Sequence, residues 1–246
     1  MDSCLRRRQL LLLPIALPLV FAVGCSTRMG AGGKKETVVD PKYLAKGDID
    51  RVIDAARRET VDGLFRFAEK LYRRNPRELK LGPSPTMEAA LKRLRGSQTL
   101  DFPELEGRRE GAAAMLAFRE DYTGDRVLAL MAGLLMMVYS AFEDKDDFYI
   151  LDDLNEQKLY NCARNLEIAM WKLSTAKYPD GTLMLLSNEL DPANRNLSFE
   201  REFGRVTGVL DFLAKVVADK HGRLISRVAQ NMATAVFLPV GALGIR

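Results

Sequence analysis

Carboxylate side chains gather between residues 143 and 156. This acidic cluster consists of Glu143, Asp144, Asp146, Asp147, Asp152, Asp153 and Glu156. A calcium loop needs oxygen ligands at alternate positions, a turn glycine and a closing glutamate. Asp144 and Asp146 begin that spacing, but Phe148 interrupts it and no glycine follows. A glycosidase needs two carboxylates on opposite sides of a sugar bond, and the spacing selects no such pair, so we interpret the cluster as a solvated loop before a helix.

Nucleophiles and metal ligands are scarce in this sequence. One His excludes a His-rich metal centre, and beyond the first 25 residues the chain has a single Cys, so no zinc cluster of these residue types is possible in the body. Cys162 and His221 fall on separate helical patterns, and no third residue stands out that would orient them as a nucleophile and base. The sequence contains no G-x-S-x-G, G-x-x-x-x-G-K-[ST] or G-x-G-x-x-G motif. We expect no catalytic residues, no metal and no cofactor.

Basic side chains are dense earlier in the chain, between residues 57 and 109. The candidate patch for an anionic partner consists of Arg57, Arg58, Arg73, Arg74, Arg77, Lys92 and Arg93. Such a patch would attract anionic lipid head groups or an acidic protein. The alternatives are an ordinary solvated surface, or pairing of these residues with the acidic cluster inside the fold.

Methionines accompany the most apolar stretch of the sequence, Val127 to Phe142. Met131, Met136 and Met137 lie on it, and Met115 lies upstream. These four residues are candidates for the lining of an apolar-ligand pocket, although methionine also fills irregular space in protein cores. Both interpretations remain open.

The first residues have the pattern of an export signal. Arg6, Arg7 and Arg8 precede an uncharged run from Leu10 to Gly24, as in secretory leaders. That run is shorter than the roughly 20 apolar residues of a membrane-spanning helix. Without this leader the net charge falls from +4 to about +2, and an exported chain is not expected to bind nucleic acid.

The small residues Ala22, Val23 and Gly24 precede Cys25, and this pattern resembles the lipobox of bacterial lipoproteins. The resemblance implies that Cys25 is lipidated and becomes the mature N-terminus. Ala22 stands where that family usually has Leu, and the same residues suit ordinary cleavage to a soluble periplasmic protein. By the resemblance, Ser26 after the cysteine favours transfer to the outer membrane, with the protein facing the periplasm.

The sequence divides into a signal peptide (1–24), a lipid-anchored flexible tether (25–47) and an all-helical domain (48–246). Glycines and lysines dominate the tether, which would reach roughly 25 Å as a random chain. The domain shows apolar residues at steps of three and four, typical of amphipathic helices. We predict the following helix starts: Asp48, Ser84, Arg108, Asp125, Asn155 and Ser198.

The predicted ends include Asn75-Pro76, Gly96, Glu120 and His221-Gly222. The helix opened by Asp125 is expected to be the buried centre of a single bundle-like domain, and the last helix to be long. Short strands are allowed at Phe148–Leu151 and Leu183–Leu186.

The body is similar to a group of uncharacterised proteobacterial lipoproteins at Lys158-Leu159-Tyr160-Asn161 and from Ser198 to Phe203. That similarity implies no activity. We predict a non-enzymatic cell-envelope lipoprotein, a binding or assembly module that acts through protein–protein contacts. Its expected partners are the membrane, through the N-terminal lipid, and envelope proteins or an anionic surface. An apolar-ligand or lipid-binding protein is the alternative, and a carboxylate-dependent envelope hydrolase the weaker one.

Overall fold

The computed structural model describes residues 26–29, 35–38, 46–189, 191–222, 225 and 235–241. Within this part the chain forms six α-helices, which confirms the predicted all-α class and the long last helix. The helices are α1 (Asp48–Arg74), α2 (Met87–Gly96), α3 (Glu110–Leu116), α4 (Arg126–Ala141), α5 (Glu156–Thr175) and α6 (Ser198–His221). The chain divides into two compact units, residues 1–45 and 46–246, and all six helices belong to the second.

The first unit contains two short strands, β1 (Ser26–Met29) and β2 (Lys35–Val38). They pair antiparallel, with Ser26 opposite Val38 and Met29 opposite Lys35. This hairpin lies in the segment for which we expected no regular structure. The role of that segment as a tether stays a prediction, and Cys25 and the leader lie outside the described residues.

Helix caps follow the sequence closely in the second unit. The Asp125 carboxylate accepts a hydrogen bond from the Leu128 amide at 2.9 Å, and the Asn155 side chain caps α5 in the same way. Gly222 ends α6 with φ 61°, a left-handed conformation that glycine adopts without strain. The predicted starts at Asp125, Asn155 and Ser198 are therefore confirmed.

Two helices differ at their ends from the prediction. α2 begins at Met87, because the Thr86 hydroxyl and not Ser84 caps it. α3 ends at Leu116 and does not continue to Glu120. The buried guanidinium of Arg126 donates to the carbonyl oxygens of Ala117 and Arg119, at 3.0 and 2.7 Å, so these groups are satisfied without a further helical turn.

α4 is the centre of the bundle. Every residue from Arg126 to Val138 is buried, and α4 packs against α1, α3 and α5. Gly133 lets α3 approach closely, since a Cβ atom there would lie 2.4 Å from the Ala114 nitrogen. α6 packs against α1 and α5. Among the described helices, none combines the length and the apolar character that a membrane crossing requires.

The two predicted short strands do not form. Leu183 makes only an isolated bridge with Lys177, and the chain bends at Met184 and Leu185. The side chain of Asn75 replaces a neighbouring strand, because it accepts from the Leu186 amide at 2.7 Å and donates to the Leu186 carbonyl at 2.8 Å. At the other site, Phe148 is buried and its amide donates to Asp54 at 2.9 Å.

Candidate functional site

The four methionines that were candidates for one pocket do not line a common pocket in the structure. Met131, Met136 and Met137 are at most 3% exposed and belong to the hydrophobic core. The sulfur of Met136 accepts from the Glu110 amide at 3.2 Å, which ties it to α3. Met115 is half-buried and lines a shallow surface depression that none of the other three lines. The three core methionines thus have the environment of space-filling residues.

The predicted basic patch is largely paired with carboxylates. Arg93 forms a two-pronged ion pair with Glu104, with both N–O distances 2.9 Å. The side chains of Arg73, Arg74 and Arg77 contact Glu69, Glu189 and Glu78. Arg58 and Lys92 are exposed and form no ion pair within the described part of the chain.

Arg57 connects the basic stretch to the acidic cluster. Its guanidinium donates to Asp146 at 2.5 Å, and nearby Lys46 binds Asp147 at 2.7 Å. Deeper in the cluster, Lys158 and Glu143 form an ion pair at 2.7 Å. The two oppositely charged stretches therefore face each other in part, as one of the sequence alternatives proposed.

A polar cleft of about 470 Å³ opens where these two stretches meet. We call it the arginine–tyrosine cleft, and its lining residues are Arg57, Arg95, Ser97, Gln98, Tyr139, Asp144 and Asp146. They come from α1, from the end of α2 and the loop after it, and from the end of α4 and its following loop.

Aromatic rings position both arginines of this cleft. The Arg95 guanidinium lies 3.8 Å from the centre of the Phe65 ring, and that of Arg57 lies 5.6 Å from the centre of the Tyr139 ring. Guanidinium groups stack on aromatic faces and keep their N–H edges for hydrogen bonds. The Arg95 side chain is 56% exposed, and its one ion pair among the described residues is a long contact to Asp62, at 3.9 Å. Its donors are therefore available to a bound group.

Tyr139 adds a neutral hydrogen-bond donor. Burial raises the pKa of its phenol, which therefore stays protonated at neutral pH. Its hydroxyl forms no hydrogen bond to another described residue. Two guanidinium groups and a phenol in one cleft are the donors that carboxylate and phosphate oxygens require.

Arg57, one of the two arginines, is already paired with a carboxylate of the same chain, that of Asp146. Its side chain is 87% exposed, whereas that of Arg57 is only 14% exposed. The loop that carries Asp146 begins with Glu143 and Asp144 at φ 54° and 53°, a region that non-glycine residues rarely adopt. An exposed carboxylate on such a loop is well placed to exchange with an external one.

Cys162 and His221 are not brought together as a nucleophile pair. Cys162 is buried on α5, and desolvation raises the pKa of its thiol. The Nε2 atom of His221 instead lies 2.7 Å from Asp153. In the part of the chain that the structure describes, no three His, Cys, Asp or Glu side chains converge as metal ligands.

The sequence pointed to Arg57 and the acidic loop, and it placed Arg95 in the basic stretch but not in the candidate patch. It gave no prediction for Ser97, Gln98 and Tyr139. The available signal was the pair Tyr139-Ser140, two polar-tipped residues at the end of an otherwise apolar helix. Only the packing of α1, α2 and α4 shows that this end meets the two arginines.

Comparison with protein-family models, with curated proteins and with solved structures finds no match to this chain. The fold and the cleft together define the class of the second unit, an all-α helical domain with a polar cleft suited to anionic groups.

Proposed function

We propose that this protein is a non-enzymatic cell-envelope lipoprotein whose helical domain is a binding or assembly module. In this proposal the arginine–tyrosine cleft receives an acidic side chain of a partner protein. The observation that carries the proposal is the exposed Asp146 carboxylate bound to the mostly buried Arg57. The partner's carboxylate would take the place of Asp146.

The energetics support such an exchange. An ion pair with one highly exposed member contributes only about 0–1 kcal/mol, because solvent competes for it. A partner carboxylate would gain Arg57 together with Arg95 and the Tyr139 hydroxyl, and the partner surface would exclude water from these contacts. The released Asp146 and the adjacent Asp144 favour a partner that carries a basic group beside its acid.

The anchoring part of the proposal rests on the leader and on Cys25. Several acyl chains hold a protein stably at a membrane, whereas one chain alone binds only marginally. The lipoprotein pattern implies several chains at Cys25. The domain would then meet its partners near the periplasmic face of the outer membrane.

Binding is tested by crosslinking and affinity capture from envelope extracts with matched arginine variants. We expect wild type and Arg58→Ala to capture the same specific proteins, and Arg57→Ala and Arg95→Ala to lose them. Arg58 is the control because it is the neighbour of Arg57 on α1 but is exposed and does not line the cleft. Equal capture by all four proteins, or no specific capture by wild type, would contradict the proposed binding site.

Anchoring is tested separately. Mass spectrometry of the mature N-terminus should show an acylated Cys25, and Cys25→Ala should move the protein from the membrane to the soluble fraction. Cys162→Ala is the control, because this buried cysteine should have no effect on fractionation. An unmodified Cys25 would instead support the soluble periplasmic protein.

Neither alternative function gains support from the site. The core position of Met131, Met136 and Met137 gives no reason to propose an apolar ligand there. In the acidic cluster, Glu143 is tied to Lys158 and Asp152 to Lys145, the latter at 2.5 Å. These are the contacts of a salt-bridged loop, and we do not propose hydrolysis.

A further inference from the structure

A tight turn between α4 and α5 presents two aliphatic side chains to solvent. Ile150 and Leu151 are its central residues, and they are 68% and 95% exposed. Such positions are usually filled by glycine, proline, asparagine, aspartate or serine. We call residues 149–152 the aliphatic turn. We propose that this turn is a second membrane contact, which inserts Ile150 and Leu151 among the phospholipids of the bilayer that holds the lipid anchor. The inference rests on the anchoring part of the proposed function.

Hydrogen bonds in both directions close the aliphatic turn. The Tyr149 amide donates to the Asp152 carboxylate at 2.8 Å, and the Asp152 amide donates to the Tyr149 carbonyl at 2.7 Å. The other carboxylate oxygen of Asp152 accepts from Lys145 at 2.5 Å. Next to the turn, Phe148 is fully buried and its amide donates to Asp54 of α1 at 2.9 Å. The turn is therefore fixed on the bundle, so binding through its two aliphatic side chains needs little further ordering of the chain.

The aliphatic turn lies where the chain enters the second unit. Lys46 is the first residue of that unit. Its ammonium group donates to Asp147 at 2.7 Å and lies 4.9 Å from the centre of the Tyr149 ring. The roughly 20 residues from Cys25 to Lys46 would span roughly 25 Å as a random chain, and less where β1 and β2 pair. A lipid at Cys25 would therefore hold the turn close to the bilayer surface.

The acidic residues around the turn are neutralised within the loop and its neighbours. Three carboxylates each form an ion pair with a basic side chain, and these pairs are Asp146–Arg57, Asp147–Lys46 and Asp152–Lys145. Because each pair carries no net charge, the loop repels anionic head groups less than its acidic sequence suggests. The adjacent Tyr149 has the amphipathic ring that is enriched at membrane–water interfaces. Exposed apolar residues also mark protein contacts, but the position beside the anchored chain favours the bilayer.

The anchor makes a weak contact sufficient. Transfer of one aliphatic side chain fully out of water favours the bound state by about tenfold or more. A tethered group meets its surface at an effective concentration in about the mM range, so even this contact stays occupied. The turn would orient the domain on the membrane and would not replace the anchor. Cys25→Ala is therefore still expected in the soluble fraction.

The test measures the depth of the turn in a bilayer that holds the mature chain, residues 25–246, without acylation. A hexahistidine tag in place of Cys25 binds the chain to vesicles of phosphatidylethanolamine and phosphatidylglycerol that contain a nickel-chelating lipid. Trp171→Phe removes the one native tryptophan, and Leu151→Trp then places a tryptophan in the turn. Leu186→Trp is the matched control. Leu186 is also exposed, but its main chain is bound by Asn75 at the opposite end of α1, about 40 Å along that helix.

We expect brominated phospholipids in the vesicles to quench the tryptophan of Leu151→Trp strongly and to shift its emission to the blue. The emission of Leu186→Trp should stay nearly unchanged. Adding Ile150→Asp to Leu151→Trp should abolish the quenching with the helical circular dichroism signal retained, because both side chains are exposed.

Three results would overturn the proposal: an unquenched tryptophan in the turn, equal quenching at the two positions, or quenching that Ile150→Asp leaves unchanged. The first of these would leave a protein surface as the occupant of the turn. Because the tag replaces the lipid, none of these results bears on acylation of Cys25, which mass spectrometry tests separately.

Discussion

Asp125 is a buried carboxyl group whose ionisation should make the fold less stable as the pH rises. It is 2% exposed, caps α4 through the Leu128 amide and accepts a hydrogen bond from the Tyr72 hydroxyl at 2.8 Å. Desolvation and the nearby Glu78 carboxylate raise its pKa, whereas the hydrogen bonds that it accepts lower it. Desolvation is the largest of these effects, and the resulting pKa is about 6. An aspartate in an unfolded chain titrates near pH 4, so between these two values the folded chain holds a proton that the unfolded chain has lost.

The sign and size of the effect follow from this difference. The free energy of unfolding falls with pH wherever the folded state binds more protons. One pKa unit corresponds to about 1.4 kcal/mol. Asp125 should therefore lower the free energy of unfolding by about 2–3 kcal/mol between pH 4 and pH 7, with most of the loss complete just above pH 6.

The assay compares urea unfolding of wild type and Asp125→Asn at several pH values. The asparagine keeps an oxygen for the α4 cap, and the Tyr72 hydroxyl can accept from its amide. Subtracting the two curves removes the titration of the other groups. The variant should gain about 2–3 kcal/mol on wild type between pH 4 and pH 7. Asp180→Asn is the control of opposite sign, because hydrogen bonds from Thr182 lower the pKa of that exposed carboxyl. A difference curve for Asp125→Asn that is flat, or that slopes the other way, would refute the reasoning.

Further predictions concern the packing of α3 against α4, the reactivity of Cys162 and the segment near Leu186 that the Asn75 side chain binds. Gly133→Ala should lower the free energy of unfolding by about 1–3 kcal/mol, because α3 must move to make room for the methyl group. Gly208→Ala is the control: the space around Gly208 is open, so the higher helix propensity of alanine should raise the free energy of unfolding by about 0.5–1 kcal/mol. Equal effects of the two substitutions in urea unfolding would contradict the close approach of α3 and α4. The thiol of Cys162 should react with a disulfide reagent only after denaturant is added, and rapid reaction in native buffer would show that it is not buried. Asn75→Ala should lower the free energy of unfolding by about 1–3 kcal/mol and speed hydrogen exchange at the Leu186 amide; unchanged exchange would show that this amide does not depend on Asn75.

The helices could be predicted because their signals are local. Apolar residues at steps of three and four mark the buried stripes, and Asp125 and Asn155 cap the helices that follow them. The apolar surface on all sides of α4 was enough to place it at the centre. The end of α3 was missed because the carbonyls of Ala117 and Arg119, which follow the helix, bind the side chain of Arg126, and that contact depends on how the loop before α4 folds back.

The arginine–tyrosine cleft could be predicted only in part. Charge density pointed to Arg57 and to the acidic loop, yet five of the seven candidate basic residues (Arg57, Arg73, Arg74, Arg77 and Arg93) are bound by carboxylates within the fold. The only sequence signal for Tyr139 was its place at the polar end of an otherwise apolar helix, and the only one for Arg95 was its place in the basic stretch. The segment near Leu186 was misread for a similar reason, because the group that binds it is the side chain of Asn75 at the end of α1.

The sequence by itself determined the helical class, most helix ends, the buried centre and the expectation of export and lipidation at Cys25. Hydrogen bonds within a turn and the period of the helix act over a few residues, so these features are encoded locally. Tertiary structure alone decided which polar side chains meet. Arg57 and Asp146, or Asn165 and Leu238, are separated by 89 and 73 residues along the chain. Their contact depends on the packing of whole helices, and no short stretch of sequence specifies that packing.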